Sequence, residues 1–209
     1  ATTKPGATAV TWTTREGGIV DGGDTGGADV IAGGRLVIDA VTGVGNGAAI
    51  ETTVASVDID NATSGNIEIS ETDAITVFKA VQGTAGNIGI VAGGTITVDN
   101  AGGNAITVLG TGTVTLDANG GTSDILINDG ILSVNGAITL TADNDVIFQA
   151  DGDITSTAGA VAITADADDG GATSGVLTMV DGTGINAGSG AIALLADENM
   201  TLGQVAARN

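Results

Sequence analysis

The chain has no cysteine, no histidine and no tyrosine, a single proline at Pro5, and only five basic residues in 209. Each absence closes off some chemistry. Without cysteine there are no disulfides, no thiolate nucleophile and no thiolate metal ligand. Without histidine, His-based triads and His-ligated metals are excluded. Lys4, Arg15, Arg35, Lys79 and Arg208 face 25 acids, for a formal charge of −20. That balance leaves nothing to neutralise phosphates, so neither a nucleic-acid partner nor an anionic membrane surface is expected. No apolar run approaches a membrane-spanning helix, so no membrane insertion is expected. The aromatics are Trp12, Phe78 and Phe148 alone. A compact globule usually draws core area from large rings, whereas a narrow core can be filled by stacked aliphatic side chains.

What the chain does have is alanine, valine, isoleucine and leucine, 36 glycines, and many threonines and aspartates. Most of these are weak helix formers and good strand or turn formers. They are arranged in a phrase that repeats. Gly136-Ala137-Ile138-Thr139-Leu140-Thr141-Ala142-Asp143 returns at Gly159–Asp166 and again at Gly190–Asp197. Looser copies begin at Gly94 and Gly112, so the starting glycines are 18, 24, 23 and 31 residues apart. A short alternating strand recurring at that interval is the signature of stacked coils.

Two further families of phrases interleave with each other, as successive faces of one coil would. Gly65-Asn66-Ile67-Glu68-Ile69 matches Gly86-Asn87-Ile88-Gly89-Ile90, and Asp73–Val77 matches Asn104–Val108. Asp151-Gly152-Asp153-Ile154 answers Asp181-Gly182-Thr183-Gly184-Ile185. The coil that starts at Gly159 is eight residues longer than its predecessor, and the excess is expected in the loop 168–174. Asn-Gly and Asp-Gly pairs at 119, 129, 135, 151 and 181 are expected to supply left-handed corners. The irregular coil length argues for a right-handed parallel β-helix, a β-solenoid, over a strict hexapeptide helix. At about 4.8 Å per coil, seven or eight coils make a rod roughly 35–40 Å long. An antiparallel β-sandwich is the competing architecture, since it too has strands every 8 to 12 residues.

Residues 1–33 carry no copy of the repeat. They read as one strand, Ala9–Thr14, followed by a glycine- and acid-rich loop. They form either a cap on the first coil or a strand donated to a neighbour, and residues 34–209 form the solenoid. Trp12 is the assembly residue to watch, because it would anchor a donated strand in a neighbour's core or seal its own first coil.

The acids are the remaining candidates for chemistry. Asp143 with Asp145, Asp151 with Asp153, and Asp166 with Asp168 and Asp169 form three clusters at turns. Paired carboxylates can cleave glycosidic bonds, but the chain lacks the aromatic and basic residues that grip a sugar, and it is read as not an enzyme. The same clusters are candidate Ca²⁺ ligands, so the cofactor expectation is none, or a structural Ca²⁺. Solvated turn acids are the plainer alternative. Thr95/Thr97, Thr113/Thr115 and Thr139/Thr141 look like ranks of an ice-binding face, although Ala160/Ala162 and Ala191/Ala193 break the pattern.

On the phrases at 136, 159 and 190 and on Asp151-Gly152-Asp153-Ile154, residues 94–205 resemble the repeat regions of large secreted bacterial β-helix surface proteins, the filamentous-haemagglutinin-like adhesins. An Asn-Pro-Asn-Gly secretion motif and an outer-membrane barrel, which accompany such repeats, are missing from this chain. The resemblance implies an extracellular or cell-surface bacterial protein without catalysis. Its role would be structural, as a subunit or segment of a fibre, filament or stalk, or adhesive through its outer faces and loops. The expected partners are further copies, joined head to tail or laterally, or the rest of a larger parent chain.

Overall fold

In the computed structural model, which describes residues 7–23, 27–100, 102–168 and 175–208, every named strand pairs in parallel and no helix occurs among the described residues. The chain is a β-solenoid of about eight coils, and the antiparallel sandwich is thereby set aside. The first coils use long strands: β1 (Thr8–Thr13), β2 (Val30–Ala40) and β3 (Ile50–Asn61), followed by β4 (Ile67–Glu71) and β5 (Ile75–Gln82). From there each coil has three short strands. They are β6 (Ile88–Ala92), β7 (Ile96–Val98) and β8 (Asn104–Val108), then β9 (Val114–Ala118), β10 (Ile125–Ile127) and β11 (Gly130–Ser133). Next come β12 (Ile138–Ala142), β13 (Val146–Phe148) and β14 (Ile154–Ser156), then β15 (Val161–Ala165), β16 (Leu177–Met179) and β17 (Gly184–Asn186). The last coil holds β18 (Ile192–Leu195), β19 (Met200–Thr201) and β20 (Gln204–Ala206).

Alternation along each strand sends every second side chain inward, and register stacks those side chains into columns. One column runs the length of the molecule through Trp12, Ile38, Ile59, Ala80, Ile106, Ile131, Ile154, Ile185 and Val205. A second runs through Ile19, Val44, Ile67, Ile88, Val114, Ile138, Val161 and Ile192. A third joins Ile75, Ile96, Ile125, Val146, Leu177 and Met200. The core is these columns packed against one another, with Phe148 the largest of the fully buried side chains.

The repeated phrase is one face of the coil. Ile138, Val161 and Ile192 are register partners in β12, β15 and β18, and Val114 in β9 joins them. The leading glycine has a steric reason. A Cβ on Gly136 would lie 1.8 Å from the carbonyl oxygen of Gly112, and one on Gly159 would lie 2.0 Å from that of Gly136. The coils touch backbone to backbone there, and Ser133 and Ser156 close the turn. The Ser156 hydroxyl donates to the Gly136 carbonyl at 3.0 Å and accepts the Gly159 N–H at 2.8 Å.

Three sequence readings need correction. The Gly94 phrase belongs to another face: Ile96 stacks on Ile75 and Ile125, not on Val114. Asp73–Val77 and Asn104–Val108 are likewise on different faces, since Ile75 pairs with Ile96 while Ile106 pairs with Ala80. Of the five Asn-Gly and Asp-Gly pairs, only Gly120 (φ 130°) and Gly182 (φ 97°) are left-handed. Gly130, Gly136 and Gly152 are glycine for closeness, with a built Cβ 2.2, 1.8 and 2.0 Å from a neighbouring coil's atom.

β1 lies on β2 of its own chain, Trp12 opposite Ile38, and the Trp12 ring packs half-buried against the core. The excursion between β15 and β16 is the longest among the later coils, and residues 169–174 within it lie outside the described residues.

Candidate functional site

The acids singled out by sequence sit at corners between strands. Asp143 Oδ2 accepts the N–H groups of Gly120 at 2.6 Å and Gly121 at 3.2 Å in the adjacent coil. Asp145 Oδ1 accepts those of Gly175 at 3.1 Å and Val176 at 2.9 Å, also one coil away. Asp153 Oδ1 accepts the Gly184 N–H at 2.7 Å. A coil corner breaks the strand ladder and leaves N–H groups unpaired, and a carboxylate there supplies the missing acceptor. Asp151 is exposed in the turn beside Asp153. Asp166 is the non-glycine residue with a left-handed backbone among the described residues, at φ 60°, and Asp168 follows it exposed. Asp169 lies outside the described residues. Three carboxylates converge in none of these clusters among the described residues.

Asparagine does the same work on another corner. Asn46, Asn66 and Asn87 each accept, through Oδ1, the N–H of the equivalent residue in the next coil: Asn66, Asn87 and Thr113, at 3.3, 3.0 and 2.9 Å. The Gly-Asn phrases at 65 and 86 are therefore a ladder of side chains that parallels the backbone ladder.

Where three carboxylates do meet is near the first coil. Asp21, Asp29 and Glu51 bring one oxygen each within 4.8 Å of one another. Trp12, Ile19, Val20 and Ile50 line the same hollow. Asp29 Oδ2 accepts the Glu51 N–H at 3.1 Å, and Asp21 Oδ1 accepts the Gly23 N–H at 3.0 Å. Glu51 Oε2 is closed off from water without a hydrogen-bond partner, although the side chain as a whole is partly exposed. Desolvation pushes the Glu51 carboxyl above the usual glutamate range, the hydrogen bond from its own backbone opposes this, and Asp29 and Asp21 add to the rise. Oxygen ligands of this kind suit a hard divalent cation. Sequence reading missed this trio because Asp29 and Glu51 are 22 residues apart and meet only once the coil length is known.

Arg35 and Lys79 are committed to packing and pairing. The Arg35 guanidinium lies 3.5 Å from the centroid of the Phe78 ring and 3.6 Å from Asp58. Lys79 bonds Asp60. Desolvation raises the Asp58 carboxyl from its ordinary value, and Lys79 and Arg35 pull it back.

The threonine pairs do not form ranks. Thr97 stacks on Thr76 and Leu126, whereas Thr115 and Thr139 stack on another face and continue as Ala162 and Ala193. Among the described residues, no helix is long and apolar enough to cross a membrane. No family model, no curated protein and no solved structure matches this chain.

Proposed function

We propose that the chain is a non-catalytic structural rod, a segment or subunit of an extracellular or bacterial cell-surface fibre, filament or stalk. The observation that carries this reading is the use made of the acids. Asp143, Asp145 and Asp153, the best candidates for catalysis or metal binding, each give one carboxylate oxygen to N–H groups of adjacent coils. Chemistry that would otherwise form a site goes into holding one coil to the next. The unbroken inward column from Trp12 to Val205 supports the same reading, since it gives a stiff, narrow shaft. Partners in this role are further coils, supplied by copies of the chain or by a longer parent. A structural Ca²⁺ would go to Asp21, Asp29 and Glu51. An adhesive role is the second reading, favoured by the length of the connection between β15 and β16.

Negative-stain electron microscopy with and without Ca²⁺, alongside a polysaccharide-cleavage assay, tests this. Rods or filaments with no cleavage are expected. Cleavage that disappears on substituting the corner aspartates would overturn the structural reading.

A further inference from the structure

Glu71 is an acid in the wrong column. Its inward neighbours along the molecule are Ala92, Ala118, Ala142 and Ala165 on one side and Thr52 on the other. It is only 4% exposed. Small residues fill this column in the later coils because the chain turns a corner immediately afterwards.

The reason for a carboxyl here lies in a mismatch between coils. β3 runs straight past the point where the next coil turns between β4 and β5. The β3–β4 ladder ends at Thr52 with Glu71, and pairing resumes only at Ser56 with Thr76. Val54 falls in the gap: Ala32 of β2 is its register partner on one side, but no strand of the next coil faces it on the other. Its N–H is taken by the Glu71 carboxylate, at 3.1 and 3.2 Å to the two oxygens, and the Thr52 hydroxyl donates to Oε2 at 2.7 Å. An unpaired buried N–H would cost about 1–3 kcal/mol, so this side chain closes a seam that the backbone leaves open.

We propose that the Glu71 carboxyl is a proton-operated pin across this seam: it joins the straight-running coils to the three-cornered ones, and taking up a proton from solvent tightens the joint. The balance of bonds allows it. In the neutral form one oxygen still accepts the Val54 N–H, and the new O–H donates to the Thr52 hydroxyl, whose own proton turns away. Oε1 keeps the N–H groups of Val54 and Thr72, each at 3.2 Å; the Thr52 bond is kept with its direction reversed, the Val54 bond to Oε2 is given up, and the burial of a charge with no cation beside it is relieved. The surroundings offer no cation to do this instead. Glu51 and Glu68 alternate to the outer face of β3 and β4, and β6 carries no titratable group. Asp58, Asp60 and Lys79 lie further along β3 and β5, past the seam. Asp73, in the turn after β4, is the charged group that acts on Glu71, and it disfavours ionisation. Burial accordingly raises the Glu71 carboxyl above the ordinary glutamate value, and the bonds from Thr52, Val54 and the Asp73 backbone only partly offset it. A folded-state value raised in this way contributes stability that is complete below the unfolded value and is lost as pH rises through the folded value. The first coils are therefore held most firmly in mild acid, and at neutral pH the seam is the place where they part from the rest.

Thermal unfolding between about pH 7.5 and about pH 5 of the full chain, of Glu71→Gln and of Glu198→Gln tests this. Glu198 is exposed, so its substitution removes the same net charge without touching the seam. The expected result is a midpoint that rises on acidification in the wild type and in Glu198→Gln, and rises less in Glu71→Gln. A carbon-13 titration of the wild-type Glu71 carboxyl decides the matter even if Glu71→Gln does not fold. Titration above the ordinary glutamate range, with a Val54 amide protection factor that rises in acid once the intrinsic slowing of exchange is divided out, supports the pin. Titration within or below that range, or equal slopes in all three proteins, overturns it.

Discussion

The first three coils and the last four solve the same stacking problem differently. In the first, strands of 11 and 12 residues run through positions where later coils turn. Polar side chains enter the interior to manage the consequences: Thr52 and Glu71 at the seam, Asn61 and Gln82 at the next corner. Asn61 Nδ2 donates to Gln82 Oε1 at 2.7 Å, and Gln82 Nε2 donates to the Ala85 carbonyl at 3.0 Å. In the later coils strands are two to five residues long, alanine fills the column that Thr52 and Glu71 occupy, and glycines let backbones touch. One region is held by side chains that reach across imperfect register. The other is held by regular register, with aliphatic columns filling the interior and Ser133, Ser156 and the corner aspartates bonding from one coil to the next. Regular coils are legible as a repeated phrase; irregular ones are not, because each mismatch is repaired by a different residue.

Four substitutions would sharpen or break this contrast. The largest effect is expected for Phe148→Ala, which empties the widest part of the regular core and should destabilise the chain by about 3–5 kcal/mol in denaturant titration. A markedly smaller loss would mean that the later coils are looser than their columns suggest. Next comes Gly136→Val, for which about 3 kcal/mol or more is expected because the new Cβ meets the Gly112 carbonyl. Its control is Gly89→Val, where nothing lies within 4 Å of the built Cβ and a change within about 0.5 kcal/mol is expected. If both glycines tolerate valine, backbone contact is not what holds the regular coils. Asp145→Ala should cost about 1–3 kcal/mol by stranding the Gly175 and Val176 N–H groups. The loss should be the same with or without Ca²⁺, and a loss seen only with Ca²⁺ would return Asp145 to the metal reading. The smallest effect belongs to the irregular region: Arg35→Met removes a stacked, partly exposed ion pair and should cost about 1 kcal/mol or less.

The phrases beginning at Gly112, Gly136, Gly159 and Gly190 disclosed one face and its register directly, and Gly65 with Gly86 extended it. The phrase at Gly94 misled because alternation is the same on every face: Ile-Thr-Val at 96–98 and Val-Thr-Leu at 114–116 differ only in where the corner falls. The corners themselves were half legible. Asp143, Asp145 and Asp153 are visible as acids at turns, but a carboxylate that accepts an N–H and one that binds a metal look identical until the neighbouring coil is in place. Asp21, Asp29 and Glu51 lie in three separate stretches of the sequence, and Glu71 shares the inward side of Ile-Glu-Ile-Ser-Glu with Ile67 and Ile69 by alternation, but only register places it opposite Thr52 and Ala92.

The parallel ladders have a mechanical consequence. Their hydrogen bonds point along the axis of the rod, so a pull on its ends loads one layer of bonds after another, in series. The shaft resists bending through its full cross-section but yields to tension a coil at a time. A coil of 23 residues, the spacing of Gly136 and Gly159, would pay out roughly 80 Å of chain as it opens. A segment of this kind lengthens in steps under load before anything covalent is strained.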